Sequence, residues 1–432
     1  MAEKFVSIQE AIKQGTGTVS IRGWVHRERG SNKLKFITLR DSTNVIQCVF
    51  EKDNFEQKWD VLDKIQVETS IKITGELKED KRAPTGYEIS AKHFEVVGTS
   101  ENYPITKDFS VEHLANNRHL WLRSRKMIAI MKIRSTYIQA RDEFFRIEGF
   151  HRFDAPIMQP MQCEGGSTLF EVKYYQETMY LSQSWQLYAE AGIFGLEKIY
   201  NFGPTFRAEK SKTSRHLSEF WMAEAEIAWA NLHDISEFAK KELKFCLKKV
   251  AEERADELKQ LDRDPKDLLA LVEKDWPTIK YREALKILKE KCKMDVPFGK
   301  DLRTVEEEEL MKHFDVPIVV THYPVEVMAF YKPRDPEQID EALCFDMLAP
   351  EGYGEIIGGS QRSLDIKDMK ERLEKDGEDS KEYKWYFDLR LYGSVPHSGY
   401  GIGVERIVRW VCGLDNIKDA IPFPRTMERF NP

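Results

Sequence analysis

The feature that most constrains this chain is a change of hydrophobic period along its length. Between residues 18 and 98 apolar residues come in short runs with a period near two: TVSIRGWVH, KLKFITLRD, NVIQCVF, TSIKITGEL and GYEISAKHFEVVG. Turn-rich pieces such as RGSN and RAPTG separate them, which reads as five β-strands. From residue 125 the period becomes helical, with Ile130, Ile133, Tyr137, Ala140, Phe144 and Ile147 spaced by threes and fours. One layer of structure cannot satisfy both periods, so the chain divides into a small all-β unit and a larger mixed one, an α+β organisation.

Five strands in so short a span suit a small closed barrel of the OB type, which binds oligonucleotides on one face. The polar stretch SENYPITKDFSVEHLANNRHLWLRS, residues 100–124, reads as an irregular linker. The expected units are therefore 1–103, a linker at 104–124, and 125–432. Gly149 closes the first long helix, and Pro156 and Pro160 require FHRFDAPIMQP to be extended. The apolar face of that helix serves either as core or as a subunit interface. Residues 234–316 are helical and heavily charged, and runs such as VEEEELMKHF read as solvated surface.

Charge and composition narrow the function. The formal net charge of −7 disfavours a polyanionic partner overall. Residues 1–100 nevertheless hold 16 Lys and Arg against 15 Asp and Glu. Six of those cations, Arg22, Arg27, Arg29, Lys33, Lys35 and Arg40, fall between 22 and 40 beside Glu28 alone, a local cationic patch. No apolar run is long enough to cross a membrane. The start, MAEKFVSIQEAIKQG, lacks the apolar core of a signal peptide and points to the cytoplasm. Six scattered cysteines with no Cys-x-x-Cys pair predict reduced, mostly buried thiols and no zinc site.

Three motifs carry chemistry. In GPTFRAEKSKTSRHLSEFWMAEAE (203–226), two strands around a turn-like KSKTS would place Arg207 and Glu209 on one face. Phe220, Met222, Glu224 and Glu226 would share a face of the second strand. A face so charged is either solvated or lines a site for a charged ligand. In GYGIGVER (399–406) the glycines fit neither a dinucleotide fingerprint nor a P-loop, but Arg406 at a helix start can reach a phosphate or lie on a base. GEIIGGSQR (354–362) offers Glu355 and Arg362 around a glycine pair, and Glu355 with Asp346 suits a magnesium ion shared with phosphates.

Together these pieces resemble the class II aminoacyl-tRNA synthetases. FDAPIMQP and the helix before it are similar to motif 1, a dimer element; FRAEKSKTSRHLSEF to motif 2; and GIGVER to motif 3, in that order. The resemblance covers nearly the whole chain and is closest to the aspartyl/asparaginyl branch, in its compact archaeal/eukaryotic asparaginyl form. It implies an OB-fold anticodon domain followed by an antiparallel catalytic sheet flanked by helices. It implies ATP and Mg2+ as cofactors, and no catalytic base. Arg207 would hold the α-phosphate and the amino-acid carboxylate, with Arg406 as its catalytic companion. Glu209, Arg215, His216, Leu217, Phe220, Glu355 and Gly403 would contact ATP, with adenine between Phe220 and Arg406. Glu355 and Asp346 would hold metal.

For the amino acid, the resemblance implies Glu164 and Gln186 on the α-ammonium and Gln183 among the amino-acid-binding residues, with Gly165 and Gly166 allowing a loop to close. Glu224 and Arg362 would meet the side chain. Glutamate in WMAEAE, where aspartyl enzymes usually carry aspartate, favours the NH2 of asparagine. Gly358 stands where they tend to carry a magnesium-binding serine. Trp185 departs from the small residue or proline commoner at its position. In the barrel, Phe36 and Gln47 match positions that stack on and hydrogen-bond the central anticodon base. Expected partners are tRNA(Asn), L-asparagine and a second copy of the chain. Three rivals stand beside this reading: an aspartyl enzyme, including one that charges both tRNAs; an asparagine synthetase paralogue, which would need no barrel; and a noncatalytic nucleic-acid-binding or signalling protein.

Overall fold

The computed structural model describes residues 4–106, 109–164, 168–210, 213 and 215–432. It separates into two compact units, Met1–Trp121 and Leu122–Pro432.

The first unit is built on five strands: β1 (Gly17–Gly30), β2 (Leu34–Arg40), β3 (Val45–Glu51), β4 (Ser70–Glu79) and β5 (Tyr87–Gly98). They close into a barrel in the order β1-β2-β3-β5-β4. Alternation turns Val19, Ile21, Ile37, Leu39, Ile71 and Ile73 inward onto Phe50 and Phe94. A short helix, Ile8–Gln14, is closed at its start by reciprocal hydrogen bonds between Ser7 and Glu10 and adds Ile8 and Ala11 to the same core. The cationic patch is smaller than the sequence suggests. Arg22, Arg27, Arg29 and Lys33 are exposed, but Lys35 is buried against Glu28 (2.6 Å) and Arg40 against Glu68 (3.1 Å). The stretch read as an irregular linker contains two short helices, Val111–Asn116 and Arg118–Trp121, the first capped by Ser110.

The second unit opens with helix Arg125–Ile147. Its apolar stripe is core, because Ile130, Ile133, Tyr137, Ala140 and Phe144 are all buried within this one chain. Ile147, the last of the series, is exposed because the helix ends there, with Gly149 turning the chain at φ +78°. Two arginines share the buried side. Arg134 meets Glu405 (2.7 Å), and Arg141 meets Glu242 (2.7 Å) and the carbonyls of Asn201 and Glu224.

Behind this helix lies a sheet of eight strands: β6 (His151–Arg152), β10 (Lys198–Phe206), β11 (Glu219–Ala228), β12 (Thr278–Lys280), β13 (Ile318–Thr321), β14 (Cys344–Ala349), β15 (Gly354–Gln361) and β16 (His397–Gly403). Their order is β12-β13-β14-β15-β16-β11-β10-β6, antiparallel except at the two edge pairs. A small sheet of β7 (Met158–Gln159), β8 (Glu171–Tyr174) and β9 (Glu177–Leu181) stands apart. Helix Leu232–Glu253 packs along β14, β15, β16 and helix Arg125–Ile147, covering one sheet face. The other face is left to the site.

The charged helical stretch is less solvated than its composition implies. Glu242 and Glu306 are 0% and 2% exposed, and β12 runs through the middle of it as a sheet edge. All six cysteines are free and five are buried. Among the described residues no helix is long and apolar enough to cross a membrane.

Candidate active site

The open face of the sheet centres on the β10–β11 pair. Its ladder ends at Phe206 opposite Glu219, where Ser218 turns its N–H to the Arg425 carbonyl (2.8 Å). Arg207 and Glu209 therefore lie in the loop past the strand end, rather than on a strand face as the sequence suggested. Ser211, Lys212 and Ser214 of that loop, like Gly165 and Gly166, lie outside the described residues. Beyond the loop, alternation on β11 presents Phe220, Met222, Glu224 and Glu226 to one cavity, which Arg207 and Glu209 also line.

The Arg207 guanidinium carbon lies 5.6 Å from the centre of the Phe220 ring. Its Nε is buried and has no hydrogen-bond partner among the described residues. A buried cationic donor left unmatched is costly, and an anionic ligand would satisfy it. Glu209 pairs with His216 (3.3 Å); burial lowers the His216 pKa against the pull of that carboxylate. Leu217 is buried with Phe220, Trp221, Ile417 and Ile421. Arg215, expected on ATP, is held by Glu307 (3.2 Å), Glu308 (2.9 Å) and the Gly352 carbonyl (2.6 Å).

At the far side of the cavity, Arg406 bonds the Glu355 carboxylate (2.7 Å) and its carbonyl (3.0 Å). Burial works against the charge on Glu355, but Arg406 outweighs it and holds the carboxyl below the usual range. Asp346 behaves oppositely: burial and then the neighbouring Glu355 push its carboxyl well above that range. A β-carbon at position 358 would lie 3.5 Å from both Asp346 Oδ1 and Glu355 Oε1, so the two carboxylates converge over a backbone with no side chain. Two hard carboxylate oxygens converging in this way fit a magnesium ion, whose charge would favour the ionised form of Asp346. Gly403 lines the same cavity.

The inner end is a lattice of buried charges. Glu224 is buried, and takes hydrogen bonds from Ser184 Oγ (2.6 Å) and the Trp185 N–H (3.1 Å). Burial raises its pKa, and those two donors oppose the rise. Arg362, expected to be available to the substrate, instead grips Glu226 through Nε and Nη2 (both 2.9 Å) and Ser360 through Nη1 (2.8 Å). Three of its five N–H groups are thus committed, and Arg362 still lines the cavity. Glycine at 399 is what admits this pair, since a β-carbon there would overlap Glu226 and Arg362. Beneath them Glu190, fully buried, takes bonds from Gln186 (3.0 Å), Tyr386 (2.8 Å), His397 (3.0 Å) and Arg390. These bonds and charges hold its carboxyl low despite burial.

Glu164 lines the cavity and accepts from Tyr331 (2.6 Å). Gln186 lines it too, but Gln183 does not. The Gln183 oxygen is occupied by the N–H groups of Cys163 and Glu164 (3.0 Å each), so it acts on the chain beside the cavity. Sequence reasoning assigned no role to Glu226, Glu190, Ser184, Tyr331 or Glu307. Only Glu226, two residues from Glu224 on one strand face, gave a local signal.

In the barrel, Phe36 is half-buried and outside the apolar core, with the Arg29 guanidinium 4.9 Å from its ring centre. Gln47 is buried; its oxygen accepts from Arg29 (3.2 Å) and its nitrogen donates to Glu88 (3.0 Å). Arginine, ring and amide thus form one cluster on β1, β2 and β3.

Comparison with known proteins completes the picture. Residues 110–427 match the family described as tRNA synthetases class II (D, K and N), and residues 19–97 match the OB-fold nucleic acid binding domain. The asparagine–tRNA ligase of Thermoplasma acidophilum is 45% identical over 415 residues, 96% of each chain. That of Lactobacillus johnsonii is 42% identical over 431 residues, 99% of this chain and 100% of the relative. The crystal structure of asparaginyl-tRNA synthetase from Pyrococcus horikoshii complexed with asparaginyl-adenylate superposes with a TM-score of 0.95 at 43% identity, over 100% of both chains. Full-length likeness in sequence and fold, over a site of this geometry, means that the chain belongs to the asparagine–tRNA ligases of the class II tRNA synthetases.

Proposed function

We propose that the cavity activates L-asparagine with ATP, forming asparaginyl-adenylate and pyrophosphate, and passes the asparaginyl group to the terminal ribose hydroxyl of tRNA(Asn). The substrate carboxylate attacks the α-phosphate in line, and pyrophosphate leaves. No side chain supplies a nucleophile or base. Arg207 bridges the two reacting groups and meets the charge that grows on phosphorus, a stabilisation that costs no reorganisation because the arginine is already in place. The buried Nε of Arg207, without a hydrogen-bond partner among the described residues, is the observation that carries this reading.

Phe220 and Arg406 take the two faces of adenine, while Glu209, Arg215, His216 and Leu217 surround the phosphates and the base edge. Asp346 and Glu355 hold magnesium, which when bound neutralises phosphate charge. Glu164 and Gln186 receive the α-ammonium, and Gln183 supports Glu164 from behind. Glu224 accepts from the carboxamide NH2 and Arg362 donates to its oxygen. An ionised glutamate at that place repels an aspartate side chain, and in a desolvated pocket this rejection outweighs a simple contact.

Phe36 and Gln47 meet the central anticodon base, aided by Arg29, in the manner of stacking platforms for unpaired bases. Two chains pair through the segment after the first long helix, where Ile157 and Met158 stay 46% and 41% exposed. The enzyme works in the cytoplasm. ATP–pyrophosphate exchange with asparagine or aspartate as sole amino acid tests the assignment. Exchange with asparagine is the expected result, and exchange with aspartate alone would overturn it.

A further inference from the structure

We infer that the Ser184 hydroxyl and the Trp185 backbone N–H are positioning groups for amide selection, acting through Glu224. The inference rests on the reading of Glu224 as the group that meets the substrate side chain.

Burial alone works against Glu224 as a selector. It raises the carboxyl pKa, and a protonated carboxyl gains an O–H able to donate to the carboxylate of aspartate, the substrate to be refused. The two donors act against this. Ser184 Oγ donates to Oε1 (2.6 Å), and the Trp185 N–H is shared between Oε2 (3.1 Å) and, more weakly, Oε1 (3.4 Å). Together they favour the ionised form and fix the plane of the group, leaving lone pairs for an incoming NH2.

The donors are themselves immobilised. Ser184 Oγ accepts from the Gln186 N–H (3.1 Å), so its own hydrogen is directed at Glu224. The Ser184 carbonyl accepts from Ser182 Oγ (3.0 Å) and Gln159 Nε2 (3.4 Å). The Trp185 indole donates to the Phe153 carbonyl (2.7 Å). The strand under Glu224 is tied by Arg141, which donates to the Glu224 carbonyl (3.0 Å). Trp185 precedes helix Gln186–Leu196 as its N-cap residue, so its N–H is not needed by the helix.

The backbone supplies a clean test. Trp185 has φ −79°, within the range of proline, which carries no N–H. W185P removes both the donor and the indole, whereas W185A removes the indole alone. Exchange kinetics for asparagine, aspartate and ATP are compared across both variants. W185P is expected to raise the asparagine KM about tenfold over W185A, the scale of one lost hydrogen bond to a charged group. The ATP KM is expected to stay level, and aspartate to gain relative to asparagine. S184A should move the same constants in the same direction, with S184T restoring them. If W185P does not fold, the S184A and S184T pair decides. Equal constants for W185P and W185A with a normal S184A would overturn the inference, as would an ATP KM rising in step with that for asparagine. E224Q separates the two levels of the reading. A normal asparagine preference in E224Q defeats the role of Glu224 and the inference with it. An impaired E224Q beside unaffected Ser184 and Trp185 variants defeats the inference alone.

Discussion

The barrel and the catalytic sheet solve the problem of charge in opposite ways. The core cluster of the barrel is wholly apolar, and the charged groups buried on its strands each meet an opposite charge: Lys35 with Glu28, Arg40 with Glu68, Glu88 with Lys78. The catalytic unit carries ion pairs through its interior, with Arg141–Glu242, Arg362–Glu226 and Arg390–Glu190 all buried on both sides. Buried pairs seldom stabilise a fold beyond what apolar residues would achieve. Their value here is geometric, because charges already desolvated and fixed need no rearrangement when a charged ligand arrives. The difference teaches that the second unit trades packing efficiency for a ready-made ligand face.

Breaking a buried pair gives the largest effect. Arg141→Met leaves Glu242 uncompensated and should destabilise the catalytic unit by about 3–5 kcal/mol, read as a lower denaturation midpoint. Arg207→Ala should lower asparagine-dependent exchange about 10²–10³-fold. Because the Nε of Arg207 has no hydrogen-bond partner among the described residues, the midpoint should hardly move. A large loss of stability in this variant would place Arg207 with Arg141 as a structural group. On the barrel side, Phe36→Ala should weaken tRNA binding by about 1–3 kcal/mol and leave exchange untouched. An equal loss in both assays would erase the division of labour between the units. Lys92→Ala, which removes a solvent-facing pair with Glu76, should leave the midpoint unchanged within error.

What could be read from the sequence follows the same division. The barrel was legible because alternation is local: each strand states its own inward face. The ligand face of β11 was legible for the same reason, from Phe220 to Glu226. The rest depends on partners distant in the chain. Arg362 and Glu226 stand 136 residues apart, Arg390 and Glu190 200, and Arg141 and Glu242 101, so no window of sequence contains both members. Arg141 sits on an apolar stripe and Glu190 on an ordinary helix. Glu307 stands in an acidic run that reads as surface, yet it receives the Arg215 guanidinium and the Glu355 N–H; burial and Glu355 push its pKa up to about 7. Lys35 and Arg40 were read as part of a local cationic patch because composition counts charges without seeing which are covered.

The proposed function has Arg207 gripping the nucleotide while Glu224 chooses an amide, and a crystal structure with a non-hydrolysable asparaginyl-adenylate analogue tests both at once. The account predicts the carboxamide nitrogen about 2.7–3.2 Å from a Glu224 oxygen, with the Arg207 guanidinium on the phosphate-mimicking group. A carboxamide turned away from Glu224, or an Arg207 guanidinium that stays off the phosphate-mimicking group, would contradict it.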